Sequence, residues 1–376
     1  MNILLFRTDP SIMDIKNYNS QEIGMAKAYI AAGHSCDIVY YNGNAPTRIE
    51  TIDAGNGKSL RIFWMKGFSI LNNGFFPGIG KILKNYDMIQ VSEYYFFASW
   101  YVYTRYAKKK RVYVYQGVYD ADNSRKFKIR CKFMDPLMLT KKVLQNVQIF
   151  TKSNLASESM QRRGFKKVKT IGVGLDISRL KQPTKQAQWC KELESKKGKS
   201  VYLLYVGVLE DRRNILFMID VLKKVVDQNN NVKLVMIGKG QQEYVNLCFE
   251  KIQQYHLEEY VIYKESLPQD ELSSVYHVCD IFLLPTKYEI FGMVLLEAMS
   301  FGLPVISSYN GGSSTIIEDG KNGIIVRSFS EDEWAHQILN VAENDIMRSS
   351  ISSIAKETAK ERFSWSSIVH DILIES

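Results

Sequence analysis

Residues 280–310 read DIFLLPTKYEIFGMVLLEAMSFGLPVISSYN. A short apolar run ends at Pro285, a polar loop carrying Glu289 follows, and from about Gly292 the residues Met293, Leu296, Met299 and Ser300 recur at helical spacing. Gly302 and Pro304 stop that helix before a second apolar run at 305–307. Strand, loop, helix, strand is the order of an open parallel sheet, whose ligands lie outside the carboxyl ends of the strands, where helix N-termini present free amides. Phe291, Gly292 and Met293 occupy that place. Gly292 permits close backbone approach, and the amides around it, with the positive end of the helix dipole, suit a phosphate. Glu297 lies further along the helix, roughly 7 to 8 Å along the axis at 1.5 Å per residue, and Glu289 lies on the other side of the turn. A carboxylate on each flank of a phosphate suits hydroxyl groups on both sides of a diphosphate, which is the layout of a nucleotide-sugar. Taken alone, the stretch reads as readily as a solvated helix residue and a loop charge.

The run 289–297, EIFGMVLLE, resembles the Glu-x7-Glu signature of retaining glycosyltransferases of the GT-B fold, specifically the large family 4, and Pro285, Phe291, Gly292, Glu297 and Ala298 fit that pattern. The resemblance implies that Glu289 contacts the donor sugar, that Glu297 holds the ribose hydroxyls, and that the amides of Phe291, Gly292 and Met293 meet the phosphates.

A second stretch supports it. VYLLYVGVLEDRRNI at 201–215 has the form of a buried strand, a glycine turn at Gly207 and a helix start, and resembles the family motif in which two cations neutralise the donor diphosphate. Arg213 stands at the lysine position; Val208 stands where the family has arginine, with Arg212 nearby as a substitute cation. Two adjacent arginines near the positive end of a helix are unfavourable unless an anion joins them, the alternative being a solvent-facing pair.

The chain of 376 residues with 45% hydrophobic content is long enough for two packed domains. Asn2 to Phe6 reads as a buried strand, followed by a helix capped by Ser20 and ended by Gly33, and a second strand at 37–41: the β-α-β opening of a doubly wound domain. Further strands are expected at 61–64, 88–91, 111–115, 147–150 and 169–171. No Gly-x-Gly-x-x-Gly follows the first strand, so a dinucleotide is not favoured. In the second half, strands are expected at 232–237, 261–268 and 324–326, the last after the turn GKNG, with Ser313 as a helix cap. The fold class is α/β of GT-B type: two Rossmann-like doubly wound parallel-sheet domains facing a crevice. The boundaries expected are 1–180 for an acceptor-binding domain, 181–199 for a linker, 200–355 for a nucleotide-sugar domain, and 356–376 for a helix packing back on the first domain.

Five scattered cysteines, none in Cys-x-x-Cys spacing, indicate buried thiols rather than disulfides or a zinc site. The N-terminus lacks signal-peptide character, and the aromatic run 94–103 is half a membrane span, so a cytoplasmic protein, peripheral on the membrane's cytoplasmic face, is expected. The net charge of +9 is concentrated: residues 101–170 hold 18 Lys and Arg against 4 Asp and Glu, leaving 31 against 36 elsewhere. Within it, NSRKFKIRCKF at 123–133 interleaves cations with Phe127, Ile129 and Phe133, as an anionic membrane surface would require; a solvated basic face is the plain alternative. No nucleic-acid motif accompanies the charge, and nucleic acid is not expected as a partner.

The strand 111–115 leads into QGVYDAD, where the family often has a histidine touching the donor sugar; this chain offers Gln116 there. Asp120 and Asp122 form an Asp-x-Asp that would hold a metal in another glycosyltransferase fold; the resemblance implies instead a metal-independent enzyme with no cofactor. The expected reaction is transfer of a sugar from a nucleotide diphosphate sugar, with retention, to a saccharide acceptor, lipid-linked, in cell-surface polysaccharide synthesis such as capsule or exopolysaccharide. The rival is a non-catalytic GT-B scaffold subunit that binds or stabilises a partner glycosyltransferase.

Overall fold

The structure, a computed structural model, describes residues 1–15, 20–119, 125–176 and 188–375. It divides into two compact units, Met1–Gly174 with Trp365–Ser376, and Leu175–Ser364.

The first unit is built on strands β1 (Asn2–Phe6), β2 (Ser35–Tyr41), β3 (Arg48–Gly55), β4 (Lys58–Met65), β5 (Phe68–Ile70), β6 (Asn73–Phe75), β7 (Met88–Ser92), β8 (Arg111–Gln116), β9 (Gln148–Thr151) and β10 (Lys167–Thr170). Eight of them form one sheet in the order β10-β9-β8-β7-β1-β2-β4-β3, parallel except for the β3–β4 pair, while β5 and β6 make a separate antiparallel hairpin. The central strands are apolar runs because both faces are covered, and Ile3, Leu4 and Leu5 have no exposed surface. Each such side chain contributes about 1.5–3 kcal/mol on leaving water. The helix Trp365–Glu375 belongs to this unit and packs on the helix Gln21–Ala31. The packing is close: a Cβ on Gly24 would lie 2.2 Å from the Trp365 indole, and one on Gly174 would lie 2.4 Å from it, so only glycine fits on either side of the ring.

The second unit holds β11 (Val201–Val206), β12 (Val232–Ile237), β13 (Val261–Lys264), β14 (Ile281–Leu284), β15 (Val305–Ser308) and β16 (Ile324–Val326), all parallel, in the order β13-β12-β11-β14-β15-β16. The stretch expected as a linker, 181–199, contributes to this unit the helix Gln188–Lys197, whose Cys190 and Leu193 are buried and which packs on the helix Gln269–Val278. The strand expected at 261–268 ends at Lys264. Ser313 is the first residue of a one-turn helix rather than its cap; its hydroxyl instead donates to the Ser308 carbonyl at 2.7 Å.

Both sheets start in the middle. From β1 the chain steps to β2 on one side and later to β7 on the other; from β11 it steps to β12 and later to β14. Each sheet therefore has a topological switch point, β1/β7 and β11/β14, where loops leave in opposite directions and open a recess at the carboxyl edge.

Candidate functional site

The loop after β11 and the loop after β14 flank the switch point of the second unit. The first passes Gly207 into a single 3-10 turn, Asp211–Arg213, then through Asn214 in the left-handed region (φ 61°) into the helix Ile215–Gln228. The second runs from Pro285 to Gly292, which caps the helix Met293–Ser300 at φ 76°, a conformation costly for any residue with a Cβ. At the start of that helix the amides of Gly292 and Met293 have no partner within it. Across the switch point the Arg213 guanidinium donates to the Glu289 carboxylate, so two side chains far apart in sequence form one ion pair. The pair is partly buried, with side-chain exposures of 17% and 14%, and Arg213 Nε is buried without a hydrogen bond, with the Glu210 carboxylate 4.0 Å away.

Arg212 is engaged elsewhere: it donates to the Tyr288 carbonyl at 2.8 Å and to the Glu210 carboxylate at 2.6 Å, and so ties the two loops together. Val208, at the position of the missing cation, is exposed. The Phe291 ring is buried and meets Phe363 edge-on at 5.9 Å. Its carbonyl lies against the next loop so closely that a Cβ on Gly312 would come within 2.0 Å of it. Glu297 is 3% exposed and accepts a hydrogen bond from the Tyr276 hydroxyl at 3.2 Å. Burial pushes its carboxyl up to about 7, against the opposing pull of Tyr276. The structure thus brings Arg213, Glu289, Gly292 and Met293 together around one recess, with Glu297 on the helix that begins there.

The carboxyl edge of the first unit carries a row that the sequence did not reveal. On four adjacent strands it reads Lys152 after β9, Gln116 at the end of β8, Glu93 after β7 and Arg7 after β1. Glu93 adopts φ 50°, an uncommon conformation for a residue with a side chain. Its carboxylate accepts from the amides of Gly117 at 2.9 Å and Val118 at 3.4 Å and from the Gln116 side chain. Burial raises the Glu93 carboxyl to about 7, with Lys152 and the two amides pulling the other way. Burial also lowers the Lys152 ammonium, which lies over the Tyr115 ring at 4.9 Å and donates to Gln21 at 3.1 Å. Arg7 pairs with Asp9 at 2.6 Å and Glu22 at 3.3 Å. Gln116, expected to face a ligand, has no exposed surface; its amide donates to Glu93 and to the Val118 carbonyl at 2.9 Å and accepts from the Tyr94 amide at 3.0 Å. With both ends of its amide engaged, it fixes the loop after β8 and does not reach a ligand. The one signal available for Glu93 was its place, a carboxylate directly after a buried strand.

Asp120 and Asp122 lie outside the described residues. Among the described residues no group of three or more His, Cys, Asp or Glu is placed to hold a metal ion, and no helix is long and apolar enough to cross a membrane.

Residues 190–358 match the family model of glycosyl transferases group 1. The matched segment contains the whole recess of Arg213, Glu289 and Glu297. An uncharacterized glycosyltransferase of Methanocaldococcus jannaschii is 32% identical over 171 residues, 45% of this chain and 43% of that protein. Spore coat protein SA of Bacillus subtilis is 24% identical over 249 residues, 60% of this chain and 63% of that one. The chain thus spans between 43% and 63% of the length of these two curated relatives. Among solved structures, Anabaena HepE in complex with UDP superposes with a TM-score of 0.70 at 18% identity, covering 100% of this chain and 99% of that one. Sucrose-phosphate synthase of Thermosynechococcus elongatus gives 0.69 at 18% identity, over 99% and 97% of the two chains. The fold is GT-B, with two Rossmann-like units.

Proposed function

We propose that the protein is a glycosyltransferase that takes its sugar from a nucleotide diphosphate sugar held by the second unit and passes it, with retention, to a saccharide acceptor held by the first. The observation that carries this reading is the Arg213–Glu289 pair set against the free amides of Gly292 and Met293 at the β11/β14 switch point. A diphosphate arriving there takes the Arg213 guanidinium as a charge-assisted donor and the helix amides as further donors, which stabilise the leaving phosphate as charge develops on it. Glu289, released from part of its pairing, faces the sugar, and Glu297 takes the ribose. Retention follows from attack on the same face that the phosphate leaves, the phosphate oxygen drawing the proton from the acceptor hydroxyl; neither metal nor cofactor is required. The Anabaena neighbour solved with UDP makes a uridine donor the first to try.

The acceptor is lipid-linked in this reading and the role is cell-surface polysaccharide synthesis on the cytoplasmic membrane face. Supporting it, the helix Arg125–Met138 exposes Ile129, Phe133 and Leu137, four residues apart in succession and hence on one face, beside exposed Lys128 and Lys132.

The test is a thermal-shift screen against UDP, GDP and ADP sugars with and without EDTA, followed by assay of slow donor hydrolysis. Stabilisation by one nucleotide class, insensitive to EDTA and accompanied by hydrolysis, is expected. Stabilisation with no turnover, even with lipid-linked acceptors supplied, would move the protein to the scaffold reading that Val208 favours.

A further inference from the structure

The first unit contains a cavity of about 510 Å³ that neither the donor recess nor the polar row occupies. Its floor is Phe6 at the end of β1; one wall is the β5–β6 hairpin and the other is the helix Phe97–Tyr106. Phe68 stacks on Phe75 at 5.0 Å and Phe75 leans on Phe97 at 6.0 Å, so the aromatic rings brace one another along the wall. Phe68, Phe97 and Trp100 remain 47%, 38% and 38% exposed, a cost in water that a ligand would remove. Among the described residues no charged side chain lines the cavity, so they offer a sugar almost nothing to bond, while its volume is that of a small-molecule site of about 300–1,000 Å³.

Charge supplies the second half of the argument. The two stretches that form the walls, 66–84 and 94–111, contain three and five Lys or Arg respectively and not one Asp or Glu. Lys66 and Lys81 are exposed on the elements whose neighbouring residues line the cavity. An apolar recess whose wall-forming stretches carry cations and no carboxylate matches a hydrocarbon chain ending in an anion. Its position matches too: Phe6 immediately precedes Arg7 of the polar row, and the helix Phe97–Tyr106 follows closely on the Glu93 turn.

We propose that this cavity holds the apolar chain of an anionic lipid phosphate, with the phosphate among the surrounding lysines and any attached saccharide directed to the polar row at β1 and β7. What the lipid carries rests on the transferase reading above; the cavity's preference for a chain bearing a phosphate does not.

The full-length protein is titrated calorimetrically with hexyl, octyl and decyl phosphate below their micelle thresholds, and with inorganic phosphate and decanol as controls. Each added methylene should tighten binding about fourfold, the equivalent of about 0.8 kcal/mol, with inorganic phosphate and decanol each at least about tenfold weaker than decyl phosphate. Gly80→Leu should fill the cavity, since a Cβ there first meets only the Tyr101 and Tyr106 hydroxyls at 3.3 and 3.6 Å. It should weaken decyl phosphate at least about tenfold while leaving the nucleotide-induced thermal shift unchanged; Trp100→Ala should weaken it in the same direction and serves if Gly80→Leu does not fold. Affinity independent of chain length, decanol binding as tightly as decyl phosphate, or equal binding by both variants would overturn the proposal. No donor is present in these titrations, so their failure leaves the transferase reading standing, and failure of the donor screen leaves this one standing.

Discussion

The carboxyl edges of the two sheets answer the same topological situation in different ways. In the second unit, glycines at 207, 292 and 312 strip the loops back to bare backbone, and the Arg213–Glu289 ion pair stands beside helix amides that have no partner within their helix. In the first unit, the corresponding loops carry side chains that bond one another: Glu93 with Gln116 and two amides, Arg7 with Asp9 and Glu22, Lys152 with Gln21 and Tyr115. An edge made of backbone donors suits a ligand of fixed chemistry, such as a diphosphate. An edge made of braced side chains holds the loop positions themselves and leaves recognition to whatever lies beyond them, here an apolar cavity.

The contrast is sharpest in activity. Glu289→Ala should lower turnover about 100-fold or more while donor binding, read as thermal shift, changes about threefold or less; equal losses in both would make Glu289 a structural partner of Arg213 and nothing further. Next in size is Glu93→Ala, which strips the acceptor from the Gln116 side chain and the amides of Gly117 and Val118. It should cost about 2–4 kcal/mol in denaturant unfolding yet leave nucleotide binding by the second unit intact. Weakened nucleotide binding in that variant would break the division of labour proposed between the edges.

A pH series sharpens it further. Glu297 keeps its proton in the folded protein up to about 7, whereas an ordinary glutamate loses it near 4.5. Between those values the folded state binds more protons than the unfolded chain, so this group makes stability fall as pH rises through the window. Glu297→Gln removes that loss: the variant should match the native protein near pH 4.5 and exceed it at pH 8 by about 1–3 kcal/mol, since a tenfold change in acidity is worth about 1.4 kcal/mol. Parallel stability curves across the range would mean that Glu297 titrates as if in water. The smallest effect is expected for Lys239→Ala at the same edge, where the 3.7 Å pair with Glu265 is two-thirds exposed; thermal stability should move by no more than about 0.5 kcal/mol.

These differences also decide what could be read from sequence. The six strands of the second unit announce themselves as short apolar runs, and the residues that the structure gathers at the recess were singled out by type and spacing: Glu289, Gly292 and Glu297 within one loop and helix, Arg213 after a glycine turn. The strand β3 escaped because RIETIDAG is a polar, partly exposed edge with no buried face to impose alternation. The β5–β6 hairpin escaped because its turn is made by Leu71 and Asn72 at positive φ, without the glycine that usually marks such a turn. Glu93 and Lys152 were invisible for a related reason: their significance comes from neighbouring strands far apart in sequence, and no local spacing joins them. Gln116 shows the converse: a residue expected from sequence to face ligand is turned inward, its amide engaged by the very carboxylate that the sequence left unnoticed.

The Trp365 indole, held between Gly24 and Gly174, sets an order of assembly. Residues 175–364 are complete as a unit before the ribosome has made the ring that finishes the unit begun first. Folding during synthesis ordinarily runs from the N-terminus; here the earliest residues meet one of their packing partners only after residues 175–364 have been made.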